Sequence, residues 1–118
     1  MDSTLGTGKI LYLLFIVINN EDLLDTVITG LIDMGITGST VIDTTDALQL
    51  ISHHIPIFAG FRMLTSGGMR HNKTLFTVIE DQSLLDSTVD YLKRVCAETG
   101  KTGQGLYAVV PVFSHGKL

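Results

Sequence analysis

Leu14–Leu31 reads LFIVINNEDLLDTVITGL, and Leu75–Leu92 reads LFTVIEDQSLLDSTVDYL. At a constant offset of 61, Leu14 falls on Leu75, Phe15 on Phe76, Val17 on Val78 and Ile18 on Ile79. The same offset sets Leu23 on Leu84, Leu24 on Leu85, Asp25 on Asp86 and Leu31 on Leu92. Each copy is an apolar run, a polar junction and an amphipathic segment. A weaker echo follows, with Gly38-Ser39-Thr40-Val41-Ile42 beside Gly105-Leu106-Tyr107-Ala108-Val109. The chain therefore reads as two strand–helix–strand halves, and only residues 44–72 or so have no counterpart. A duplicated scaffold accounts for the rest, so function is sought in that stretch and in the loops.

Working outward, residues 9–18 are continuously apolar after Lys9, which predicts a central strand covered on at least one face. Asn19 or Asn20 suits a helix cap, and Glu21 and Asp22 suit the positive first turn. Leu23, Leu24, Val27, Ile28, Leu31 and Ile32 recur at three- and four-residue spacing, one apolar helical face. Gly35 is placed to stop that helix, and 37–44 returns as a β-branched strand. In the second half, 73–80 is a strand, and Asp81 or Ser83 caps a helix with the stripe Leu85, Val89, Leu92, Val95 and Cys96. Gly100 closes that helix, and 105–112 is the last strand. The prediction is an α+β, ferredoxin-like duplicated βαβ: a four-stranded antiparallel sheet with two helices on one face and a long insert between strands 2 and 3. The sheet's other face is too apolar for water, which predicts an oligomer.

A length of 118 residues suits a single domain over 1–118, with a disordered leader at 1–8. Net charge is −4, which disfavours nucleic acid as a partner. Between Asp46 and Glu80 there is no Asp or Glu, whereas Arg62, Arg70, Lys73, His53, His54 and His71 fall there, so that segment could accept a small anion. A single cysteine, Cys96, rules out an internal disulfide and points to a reducing cytoplasm; its place on the helix stripe makes it core. MDSTLGTGK has no basic region leading into a cleavable apolar segment, so no signal peptide is expected. The longest apolar run, Ile10–Ile18, is too short to span a bilayer, so the chain is not expected to be membrane-embedded.

The insert, 46–72, is more apolar than a solvated connection needs. It holds Leu48, Leu50, Ile51, Ile55, Ile57, Phe58, Phe61, Met63 and Leu64, with Pro56 suited to open a short helix and Gly67-Gly68 to end it. His53 and His54 are neighbours and point apart in an extended chain, so solvated loop histidines are the simpler reading than metal ligands. Asp25 and Asp86 are paired by duplication, as early-helix surface acids. No triad, metal-hydrolase motif or paired-carboxylate site is present, which makes an enzyme the least favoured class.

Thr99-Gly100-Lys101-Thr102-Gly103-Gln104-Gly105 packs three glycines, a lysine and two threonine hydroxyls between the second helix and the last strand. Its backbone N–H groups suit phosphate, although it is not a Walker A loop. With MGITGSTVID at the first helix–strand junction and the duplication, TGKTGQG resembles the PII nitrogen-regulatory signalling proteins over about residues 9–113. The resemblance implies a homotrimer binding an adenine nucleotide (ADP, AMP or ATP) in clefts between subunits, with the place of Mg²⁺ left open. Thr37, Gly38 and Thr40 match the junction bordering the nucleotide. Gly100, Lys101, Thr102, Gly103 and Gly105 match the phosphate loop, and Lys73 falls near a basic position used on phosphate. It also implies that this small-molecule effector sets the insert, whose Phe58, Phe61, Arg62 and Leu64 face a target protein such as a transporter or metabolic enzyme. The chain departs from the family pattern where Leu106 replaces the lysine after the glycine loop, where Leu50 stands in place of a glutamine beside Gln49, and in a tail with Lys117 as its one firm cation. The insert also lacks a tyrosine, which excludes uridylylation there. Two alternatives stay open: a metal-binding trimer similar to the copper-tolerance CutA proteins, through His53, His54 or His71, and a ligand-free interaction module.

Overall fold

The computed structural model describes residues 10–47 and 71–118. In chain order these form β1 (Leu11–Ile18), a 3-10 turn (Glu21–Leu23) running into α1 (Leu24–Asp33), β2 (Thr40–Thr45), β3 (His71–Ile79), α2 (Gln82–Glu98) and β4 (Gly105–Val112). The sheet order is β2–β3–β1–β4, with every neighbouring pair antiparallel. This is the ferredoxin-like α+β arrangement that the duplication predicts. No helix among the described residues is long and apolar enough to cross a membrane.

Local chemistry explains where the helices start and stop. The Asn20 side chain accepts the Asp22 N–H at 3.1 Å, and the Asp81 carboxylate accepts the Ser83 N–H at 3.0 Å. Each satisfies a backbone donor that the first turn leaves without an intrahelical partner. At the far end of α1, Gly35 takes φ +86°, a left-handed conformation that costs a side-chain-bearing residue about 1–2 kcal/mol. Its N–H donates to the Ile32 carbonyl at 2.9 Å and the Ile36 N–H to the Leu31 carbonyl at 2.8 Å, the paired bonds of a Schellman stop.

The core lies between the sheet and both helices. Leu14, Ile16, Ile18, Leu75 and Ile79 from the sheet meet Val27, Leu31, Leu85, Leu92 and Val95 from the helices. Thr88 stands fully buried on the inner face of α2, where the apolar pattern names no residue. Its hydroxyl donates to the Leu84 carbonyl at 2.7 Å, which removes the penalty of burying it. The helices touch through Gly30: a Cβ there would lie 2.2 Å from the Tyr91 ring, whose hydroxyl donates to the Thr26 carbonyl at 2.7 Å.

On the other face, strand register aligns Leu13, Val78 and Val110 in one row and Phe15, Phe76 and Ala108 in the next. The two phenylalanine rings lie 5.8 Å apart, and Val78, Val110 and Leu106 are exposed. The second face is thus apolar and bears no helix among the described residues.

Two sequence expectations shift. The third strand starts at His71 rather than at 73, so the connection ends two residues earlier than the 46–72 span. Val41 faces Leu75 and Val109 faces Leu14, and Leu75 and Leu14 are equivalent. Val41 and Val109 are therefore the structural pair, one residue off the echo that set Ile42 beside Val109. The leader at 1–8 and the insert residues His53, His54, Phe58, Phe61, Arg62 and Leu64 lie outside the described residues.

Candidate functional site

The glycine loop after α2 has a fixed internal architecture. Thr99 ends the helix, and Gly100 and Gly103 both take left-handed conformations, φ +69° and +65°. Between them Lys101 is exposed, its N–H donating to Thr99 Oγ1 at 3.1 Å. Gln104 organises the turn from inside and is 7% exposed. Its Nε2 donates to the carbonyls of Cys96 at 2.8 Å and Lys101 at 3.0 Å. Its Oε1 accepts from Thr99 Oγ1 at 2.8 Å and from Asn20 Nδ2 at 3.1 Å. All four bonding positions of the amide are used, as burial requires.

The loop is also tied to the sheet. Asn19 N–H donates to the Gln104 carbonyl at 2.7 Å, and Asn19 Nδ2 to the Gly103 carbonyl at 3.2 Å. Asn72 Nδ2 donates to Asn19 Oδ1 at 3.2 Å, which carries the network to β3, and Thr44 donates to Asn72 Oδ1 and approaches Thr74 Oγ1 at 2.9 Å. Gly105 opens β4 so close to β1 that a Cβ would lie 2.1 Å from the Val17 carbonyl oxygen. Only glycine fits that approach.

Lys73 and Gly105 both pair with Ile18, on either side of it, so they share one end of the sheet. The Lys73 ammonium donates to Asp43 across the β2–β3 ladder. That hydrogen bond holds the ammonium pKa above the ordinary 10.5, against some desolvation, with the charges of Asp43 and Glu21 adding to it. The lysine that the sequence places near phosphate is therefore already engaged by a carboxylate.

Thr37, Gly38 and Thr40 lie elsewhere. Thr40 pairs with Phe76, and Thr37 and Gly38 line a shallow depression with Thr77, Glu80 and Asp81 at the other end of β3. At about 3.4 Å per residue, the six steps from Lys73 to Ile79 separate the two groups by about 20 Å. Gly100, Lys101, Thr102, Gly103, Gly105 and Lys73 are thus gathered at one end of the subunit, and Thr37 and Gly38 at the opposite end. Beside them, Ser39 Oγ is buried with no hydrogen-bond partner among the described residues.

The sequence reading missed Gln104, Asn19, Asn20 as a loop tether, and Asn72. The one local signal was a long amide set between two glycines. Among the described residues no group of three or more His, Cys, Asp or Glu side chains could hold a metal ion.

No family model and no curated protein sequence matches the chain. Among solved structures it is similar to PII from Arabidopsis thaliana bound to citrate, with a TM-score of 0.59 and 20% identity, over 88% of this chain and 78% of that one. At that identity the likeness shows the fold, which is PII-like. A de novo designed protein, Foldit4, aligns over 91% of this chain and 99% of its own at 10% identity, with a TM-score of 0.39, too low to bear on function.

Proposed function

We propose that the chain is a PII-like regulatory protein that assembles as a homotrimer and binds an adenine nucleotide or a similar small anion between subunits. The observation carrying this reading is the glycine loop held in one shape by Gln104, with exposed Lys101 at its tip. Backbone donors in an ordered loop with an ammonium beside them are what a phosphate chain needs, and prior ordering of the loop lowers the entropic cost of binding. The separation of about 20 Å along β3 supports a shared site, because one phosphate group cannot meet both ends of a subunit. A neighbouring copy would bring its Thr37–Thr40 junction to the loop, and the apolar second face is a surface that assembly would cover. The PII of similar fold is bound to citrate, itself a small anion. In this reading the bound anion biases the 46–72 insert, and Phe58, Phe61, Arg62 and Leu64 engage a target protein. Such signalling requires that the ligand bind two insert states unequally.

Calorimetry with ATP, ADP and AMP, with and without Mg²⁺, tests the reading. Lys101→Ala should weaken the tightest nucleotide about tenfold, the loss of one charge-assisted bond, with the urea midpoint unchanged. Equal affinity in the variant removes Lys101 from the site. No binding by the wild type removes the nucleotide.

A further inference from the structure

We infer that the protein has a second ligand site: an apolar cavity behind the glycine loop that takes a small carboxylate with a benzene-sized body. The cavity measures about 190 Å³ and lies on the helix side of the sheet. Leu23 of the 3-10 turn, Val27 of α1, Leu92 and Cys96 of α2, and Tyr107 of β4 form its walls. Gln104 and Gly105 close the end of the cavity next to the loop. An apolar cavity of about 150 Å³ stays dry and binds benzene, so this one is in the range that admits a six-carbon body.

The lining also selects the head group. Gln104 reaches the cavity, but both its amide atoms are fully engaged within the loop, so it offers a ligand no open donor or acceptor. Lys93 is the one cation in the lining, and no carboxylate stands there with it. Its ammonium lies 5.9 Å from the centre of the Tyr107 ring, at the side of the cavity that Tyr107 forms. An apolar tail inside with an anionic end on Lys93 satisfies both features. The cavity shares Gln104 and Gly105 with the glycine loop, so occupancy reaches the loop directly.

Hexanoate and hexanol, titrated into the full chain by calorimetry, are the probes. Both should bind, with hexanoate about two- to fivefold tighter through the Lys93 charge. Lys93→Gln should remove that preference and leave hexanol binding unchanged. Cys96→Phe, which fills the cavity, should abolish both. Absence of binding by the wild type, or unchanged affinity in Cys96→Phe, overturns the site, and a preference that survives Lys93→Gln overturns the head-group assignment. Should Cys96→Phe not fold, alkylation of Cys96 in the wild type decides the question. Saturating hexanoate should slow it at least severalfold, and an unaltered rate overturns the site.

Discussion

The two helix-to-strand connections descend from the same repeated unit and are built differently. After α1 the chain turns on one left-handed glycine, Gly35, held by two backbone hydrogen bonds, and runs on into β2. After α2 it uses two left-handed glycines, Gly100 and Gly103, and encloses a buried glutamine that makes four hydrogen bonds. The first shows how little is required to reverse the chain. The excess in the second serves to hold the loop in one shape, because each bond restricts backbone that a plain turn would leave free. Departure from the repeat, rather than the repeat itself, marks where the proposed ligand site falls.

The largest effect should come from the glycines that follow the two turns. A Cβ at Gly105 meets the Val17 carbonyl oxygen at 2.1 Å, whereas a Cβ at Gly38 meets nothing within 4 Å. Backbone cannot step aside as a flexible side chain can. Gly105→Ala should therefore lower unfolding free energy by about 3 kcal/mol, and Gly38→Ala should change it by no more than about 0.5 kcal/mol, measured by urea denaturation. Equal costs at the two positions would remove the close approach of β4 to β1 as a distinction between the loops.

Next in size is the glutamine. Gln104→Ala takes a partner from the Lys101 carbonyl and the Asn20 amide, while the Cys96 carbonyl and the Thr99 hydroxyl keep their bond to each other. Water can reach some of them once the side chain is gone, so the cost should be about 2 kcal/mol by urea denaturation rather than the sum of four bonds. Affinity for the proposed nucleotide should fall as well, because the loop would then be ordered only on binding. A variant as stable as the wild type would mean that the two glycines alone shape the loop, and the contrast with the α1 connection would reduce to one extra turn.

The fold was legible because its signals are periodic and repeated. The apolar run of β1, the stripes of both helices and the stopping glycines each follow from local chemistry, and the second copy checks the first. Thr88 was not legible, because a threonine on an inner helical face looks like a break in the stripe until its bond to the Leu84 carbonyl is seen. The candidate site was legible only as composition. TGKTGQG announces a glycine loop, yet the role of Gln104 depends on Asn19 and Asn20, more than eighty residues away in sequence, arriving beside it when β1 and β4 pair. The Lys73–Asp43 pair is likewise a product of β2–β3 register, which a one-residue slip would break.

That ion pair gives the smallest effect, and one confined to the glycine-loop end. Lys73 is held above its ordinary pKa by Asp43, so the folded state binds that proton more tightly than the unfolded chain does. The resulting stability is in place below the unfolded-state value of 10.5 and is lost as pH rises through the higher folded value. The pair is exposed and screened, so the effect is a modest shift in midpoint. Urea midpoints of the wild type and Lys73→Met should differ by a constant amount from about pH 7 to about pH 9, and the gap should close above the ordinary lysine range. Thr37→Ala, at the opposite end of the sheet, should show no such closing. A Lys73 gap that stays open at high pH would mean that the lysine contributes through its packed methylenes instead of its charge. Asp43 would then hold no ammonium that an incoming phosphate must compete for, and removing it would leave anion affinity unchanged.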